Sequence, residues 1–207
     1  MTVKIGCIVE GESEVKTVPL LIRRIAAELY PELPIVVLPP IRRPRNKVVK
    51  ENELEKAVEF VARLIGGQGA IFIILDSDKD CPAELGPALL HRASQARSDL
   101  PIAVVLAKHE FEAWFLAAAE SLRGQRGLKP DIHPPNDPEA IRDAKRWLSE
   151  RMENNRTYRE TQDQPALAAR FDIEQARQAD SLDKCYRDIV RLLEELQKAS
   201  DSISKEV

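Results

Sequence analysis

Short apolar runs alternate with amphipathic stretches along the first 122 residues of the chain. Val3 to Val9 has the length of a strand. After Gly11 the apolar residues Val15, Val18, Leu21, Ile22, Ile25 and Leu29 recur at helical steps, which predicts a helix with one buried face, Pro19 kinking its first turns. Ile35 to Leu38 predicts a second short strand, and Leu54, Ala57, Val58, Val61, Leu64 and Ile65 mark a helix that ends at Gly66-Gly67. "AIFIIL", Ala70 to Leu75, is apolar at every position, as a central strand covered on both faces requires. A helix over Pro82 to Arg97, a strand over Ile102 to Leu106 and a helical "HEFEAWFLAAAESL" complete the alternation. The pattern predicts an α/β fold around a mostly parallel sheet flanked by helices.

Past Leu122 the pattern changes. "RGQRGLKPDIHPPNDPE" carries turn residues at loop density, and helices are predicted over Pro138 to Met152 and Ser181 to Lys198, with a frayed "SDSISKEV" after them. The expected organisation is an α/β domain over 1–122 and a loop with a helical C-terminal part over 123–207, packed on the same domain.

Composition narrows the function classes. Lys and Arg total 31 against 34 Asp and Glu, so no overall basic field attracts polyanions, and a nucleic-acid site would have to be a local patch. The three cysteines, Cys7, Cys81 and Cys185, lack metal-ligand spacing and suit reduced thiols. There is no pattern of a secretion signal and no apolar stretch near the roughly 20 residues needed to span a bilayer. A cytoplasmic protein without a membrane segment is expected.

The chemistry lies where the apolar runs stop. Glu10 follows the first strand, Asp76, Asp78 and Asp80 follow "AIFIIL", and Glu110 with Glu112 follow "IAVVLA". Ligand sites of open parallel sheets lie beyond the carboxyl ends of the strands, so these carboxylates should converge. Gathered acidic oxygens repel one another, and Mg²⁺ (or Mn²⁺) is the usual remedy. In Asp76-x-Asp78 an extended segment would point both side chains to one side, which makes them the best ligand pair. Each position also has a plainer reading. Glu10 can mark where a strand surfaces, and Asp80, near Pro82, suits a turn or cap. Glu110 and Glu112 suit a helix N-terminus by its dipole; of the two, Glu112 is the better ligand candidate. His109 fits helix entry or a partner of a ligand, and Trp114 with Phe115 fits the core.

These residues resemble a known family. "VEG" closing the first strand, Glu14 just after it, and D-x-D closing a later one look like the Toprim domain of topoisomerases, primases and OLD-type nucleases. The stretches "KHEFEAWFLA" (108–117), "AKRWL" (144–148), "YRETQDQPALAARFD" (158–172) and "SLDKCYRDI" (181–189) are similar to the bacterial family called domain of unknown function 4276, over nearly the whole chain. The resemblance implies a Toprim-like, Rossmann-type sheet with a divalent-metal site, its glutamate at Glu10 and its aspartates at Asp76 and Asp78. It also implies an ATPase partner, including in anti-phage systems. Lys79, Asp80 and Cys81 replace the acidic residue and Gly that continue the topoisomerase and primase pattern, which argues against a topoisomerase.

The expected function is therefore Mg²⁺-dependent hydrolysis of a DNA or RNA phosphodiester. Glu10, Asp76 and Asp78 hold metal, Glu112 assists, and Glu10 serves alternatively as general base. "RRPRNKVVK", a Pro-broken loop, offers Arg42, Arg43, Arg45 and Lys47 to phosphate, or is simply a solvated surface. Lys108 is either a substrate contact or a surface residue. Two other classes remain: a non-catalytic or conditionally active subunit of an ATPase complex, and a hydrolase of a small phosphorylated metabolite.

Overall fold

The computed structural model describes residues 2–205, and side chains as far as Ser202. Strands β1 (Val3–Val9), β2 (Ile35–Val37), β3 (Ile41–Arg42), β4 (Ala70–Asp76) and β5 (Ile102–Ala107) form one parallel sheet in the order β2-β1-β4-β5. β3 also pairs with β1, beyond β2 on the same edge: β2 lies against Val3 to Ile5, and β3 against Ile8 and Val9. Pro39 and Pro40 lack the N–H that a continuous ladder needs, and they separate the two strands.

Side chains alternate across this sheet, so each face has its own core. Ile8, Ile71, Ile73, Leu75, Val104 and Leu106 pack under helices α3 (Glu53–Leu64) and α4 (Pro82–Ala96). Cys7, Val9, Phe72, Ile74, Ala103 and Val105 face the other way, toward α1 (Glu14–Leu29) and the whole C-terminal part. This explains why "AIFIIL" has no polar position. The second core continues through α5 (Ala113–Ala117), α6 (Ala144–Glu150), α7 (Glu160–Ala168), α8 (Ile173–Ala176) and α9 (Asp180–Lys205), so residues beyond 122 share hydrophobic contacts with the sheet. Trp114 and Phe115 are fully buried there, the Trp114 indole N–H donating to Ser181 Oγ at 2.8 Å.

Several boundaries differ from the sequence reading. The stretch after β5 is only the five-residue α5 and a 3₁₀ turn at Ala119–Leu122. Pro138 to Met152 divides into a 3₁₀ turn at Pro138–Ala140 and α6, each capped separately, by Asp137 and Asp143. The basic stretch is not a loop: Ile41–Arg42 pairs in the sheet, and Arg45–Val48 forms the short helix α2. α9 runs on to Lys205 through most of the segment expected to fray, whose last two residues lie outside the described ones. Pro19 sits inside an uninterrupted α1.

Candidate functional site

β1, β4 and β5 end side by side and deliver their acidic residues to one edge. Glu10 follows Val9, and the Asp76 backbone N–H donates to Glu10 Oε2 at 3.4 Å. Asp76 is the last residue of β4 and accepts the Phe111 N–H on Oδ1 at 2.9 Å, which ties the chain after β5 back to β4. Glu112, at the entry to α5, is completely buried. Its Oε1 accepts the Tyr158 hydroxyl at 2.9 Å and the Gln164 amide at 3.2 Å. Glu14, in the first turn of α1, is also buried, and its Oε1 accepts from the same Gln164 nitrogen at 3.4 Å.

This arrangement carries more negative charge than its donors match. Oε2 of Glu14, Oε2 of Glu112 and Oε1 of Gln164 are buried with no hydrogen-bond partner. Burial, with Glu112 and Glu14 beside it, pushes the Asp76 carboxyl well above the usual carboxylate range. Burial also pushes Glu112 up to about 7, against the opposing pull of Lys145 and Tyr158, and raises Glu10, with Asp78 and Glu14 adding to the effect. The cation here is Lys145 of α6, whose Nζ lies 3.1 Å from Glu160 Oε2 and 3.8 Å from Glu112 Oε2.

Asp78 is near enough to raise Glu10 but stays outside the buried part of the cluster. Asp76 to Asp78 is not the extended segment expected: β4 stops at Asp76, and Asp78 adopts a left-handed φ of 52°. The side chain is thereby turned outward, 62% exposed, and lies 3.6 Å from the Arg45 guanidinium, which also pairs with Asp80. His109, likewise at positive φ, stitches the loops after β4 and β5: its N–H donates to Ser77 Oγ at 2.9 Å and its Nδ1 to the Asp78 carbonyl at 2.7 Å. Glu110 does not join the carboxylates; its Oε2 accepts the Ala144 and Lys145 N–H groups at the start of α6.

Among the proposed phosphate-binding residues, Arg45 reaches this edge, while Arg42, Arg43 and Lys47 are exposed along β3 and α2. Lys108 is half-buried, with its N–H on Ser181 Oγ at 3.2 Å. A cleft of about 440 Å³ opens here, lined by Arg45, Lys79, His109 and Arg142 together with Asp78, Asp80 and Glu110. Another cavity, about 400 Å³, lies at the opposite end of the sheet beside Lys4, Gly67 and Pro101.

The donor set suits a hard divalent ion, because it is rich in carboxylate oxygens and two are buried without partners. As the side chains stand, however, no three His, Cys, Asp or Glu residues among those described are grouped to hold a metal. Glu14, Lys145, Tyr158, Glu160 and Gln164 were not among the site residues expected from sequence. Glu14 was visible as an acid one helical turn past Glu10. The others lie in two stretches that carry the family resemblance, 144–148 and 158–172, but nothing in their spacing assigns them to the site, and it is their packing that brings them there.

The class defined by this fold and edge is an α/β protein with an acidic site at the carboxyl ends of its parallel strands. Residues 9–189 match a domain of unknown function, DUF4276, and the chain belongs to that family. No curated protein and no solved structure matches the chain. No helix among the described residues is long and apolar enough to cross a membrane.

Proposed function

We propose that the protein is a Toprim-like, Mg²⁺- or Mn²⁺-dependent phosphodiester hydrolase acting as a nuclease effector, with an ATPase as its partner in anti-phage defence. The observation that carries the chemistry is the convergence of Glu10, Glu14, Asp76 and Glu112 with unpartnered, buried acidic oxygens. An anionic cluster in a low-dielectric setting is costly unless a cation or protons compensate it.

Glu10, Asp76 and Glu112 are the residues to hold the ion, with Asp78 joining if it leaves Arg45. A bound divalent ion supplies charge neutralisation on the leaving oxygen and acidifies a water. Arg45, Lys79 and Arg142 line the adjoining cleft and can fix phosphate oxygens there.

Incubation of the full chain with plasmid, single-stranded DNA and RNA in Mg²⁺ or Mn²⁺, with and without the ATPase, tests this reading. Cleavage by the wild type that falls at least about a hundredfold in Asp76→Asn is expected. No cleavage under any of these conditions contradicts it.

A further inference from the structure

The regulation of this same site can be read from its cation, an inference that rests on the divalent-ion reading above. Lys145 comes from α6, outside the sheet, and enters the acidic edge between Glu112 and Glu160. Its backbone is fixed there, since its N–H and that of Ala144 both donate to Glu110 Oε2. Glu160 is itself held by the Ser13 hydroxyl at 2.6 Å. The contact to Glu112 is long, 3.8 Å, and leaves Glu112 Oε2 without a hydrogen bond, whereas the contact to Glu160 is a short ion pair. Lys145 therefore has an anchor to which it can retire.

A second, independent feature points to a ligand in the same place. Gln164 is fully buried, and its amide nitrogen bridges Glu14 and Glu112 while its amide oxygen has no partner. A buried amide oxygen without a partner, on a side chain whose nitrogen already joins two carboxylates, is an acceptor that a cation can engage.

We propose that the Lys145 ammonium is a tethered counter-ion of the carboxylate cluster, and that a divalent ion displaces it from Glu112 toward Glu160 on binding. Ion and lysine compete for the same negative charge, so the site is held in a metal-free form until a divalent ion displaces the ammonium.

Lysine acylation followed by mass spectrometry of the full chain, with and without saturating Mn²⁺, tests the displacement directly. Lys145 should react several-fold faster with Mn²⁺ present, while Lys56, already 71% exposed, should not change. Mn²⁺ titrations of Lys145→Met and Lys145→Arg add a second readout: about tenfold tighter binding in the Met variant, the loss of one competing contact of roughly 1.4 kcal/mol, and wild-type affinity or weaker in the Arg variant. Unchanged Lys145 reactivity in wild-type protein that does bind Mn²⁺ overturns the displacement and leaves the metal reading standing. Equal tightening in both variants also overturns it, because the effect would then follow shape and not charge. Absence of Mn²⁺ binding in wild type and both variants overturns the metal reading together with this one.

Discussion

Two buried acidic centres in this protein are built on opposite terms. At Asp163, in the first turn of α7, the carboxylate is fully buried and fully paired. It accepts from Arg126 Nε at 3.1 Å, from Arg156 Nη2 at 2.5 Å and from the Arg159 N–H at 2.9 Å. At the sheet edge Glu14, Asp76 and Glu112 have one lysine close by, and Oε2 of Glu14 and of Glu112 accepts no hydrogen bond. The first centre ties the turn at Arg126 and the segment around Arg156 to α7, as a buried carboxylate must be tied if it serves stability. The second is left short of positive charge inside the same core. That difference is what the proposed divalent ion would offset at the sheet edge, where protons on Asp76 and Glu112 otherwise reduce the charge.

Removing one partner breaks the comparison most severely at the paired centre. Asp163→Ala should lower the unfolding free energy by about 3 kcal/mol in urea denaturation, since it leaves two guanidinium groups, both partly solvated, without their carboxylate. Asp76→Asn should cost little or raise stability, because the amide keeps the oxygen that accepts the Phe111 N–H and removes a repelled charge.

pH sharpens the contrast. A Glu112 carboxyl raised to about 7 when folded, against its ordinary value near 4.5, binds its proton more tightly in the folded state. Its contribution therefore leaves the fold unpenalised below about pH 4.5, and stability falls as pH rises from there to about 7. The loss is on the order of 2–3 kcal/mol, at about 1.4 kcal/mol per unit. Denaturation of wild type and Glu112→Gln over this range should give curves that diverge, the variant falling less; parallel curves would remove Glu112 as the source.

The smallest effect belongs to Arg45. Its partners Asp78 and Asp80 are more than half exposed, so Arg45→Ala should cost no more than about 1 kcal/mol. The same change frees Asp78, and a Mn²⁺ titration that tightens in this variant would show Asp78 joining the ion.

The sheet was legible because burial on both faces leaves no polar position in "AIFIIL" and because strand ends are marked by a change from apolar to acidic residues. Glu10, Asp76 and Glu112 followed from that logic, and the structure brings them to one edge. Asp78 departs from the expected geometry because D-x-D spacing says nothing about where pairing stops; one residue in left-handed conformation redirects the side chain. The C-terminal contribution was hidden for a different reason. Lys145, Tyr158 and Gln164 occupy helical or loop segments whose polar residues look solvent-facing, and only the packing of α6 and α7 against the sheet face turns them inward.

The central claim is that the carboxylate edge takes a divalent ion. Thermal unfolding of wild type and Asp76→Asn, each with and without excess Mn²⁺, tests it most directly. A rise of several degrees in wild type that is lost in Asp76→Asn is the predicted result. The same melting temperature with and without the ion in wild type, or an equal rise in both proteins, would contradict it.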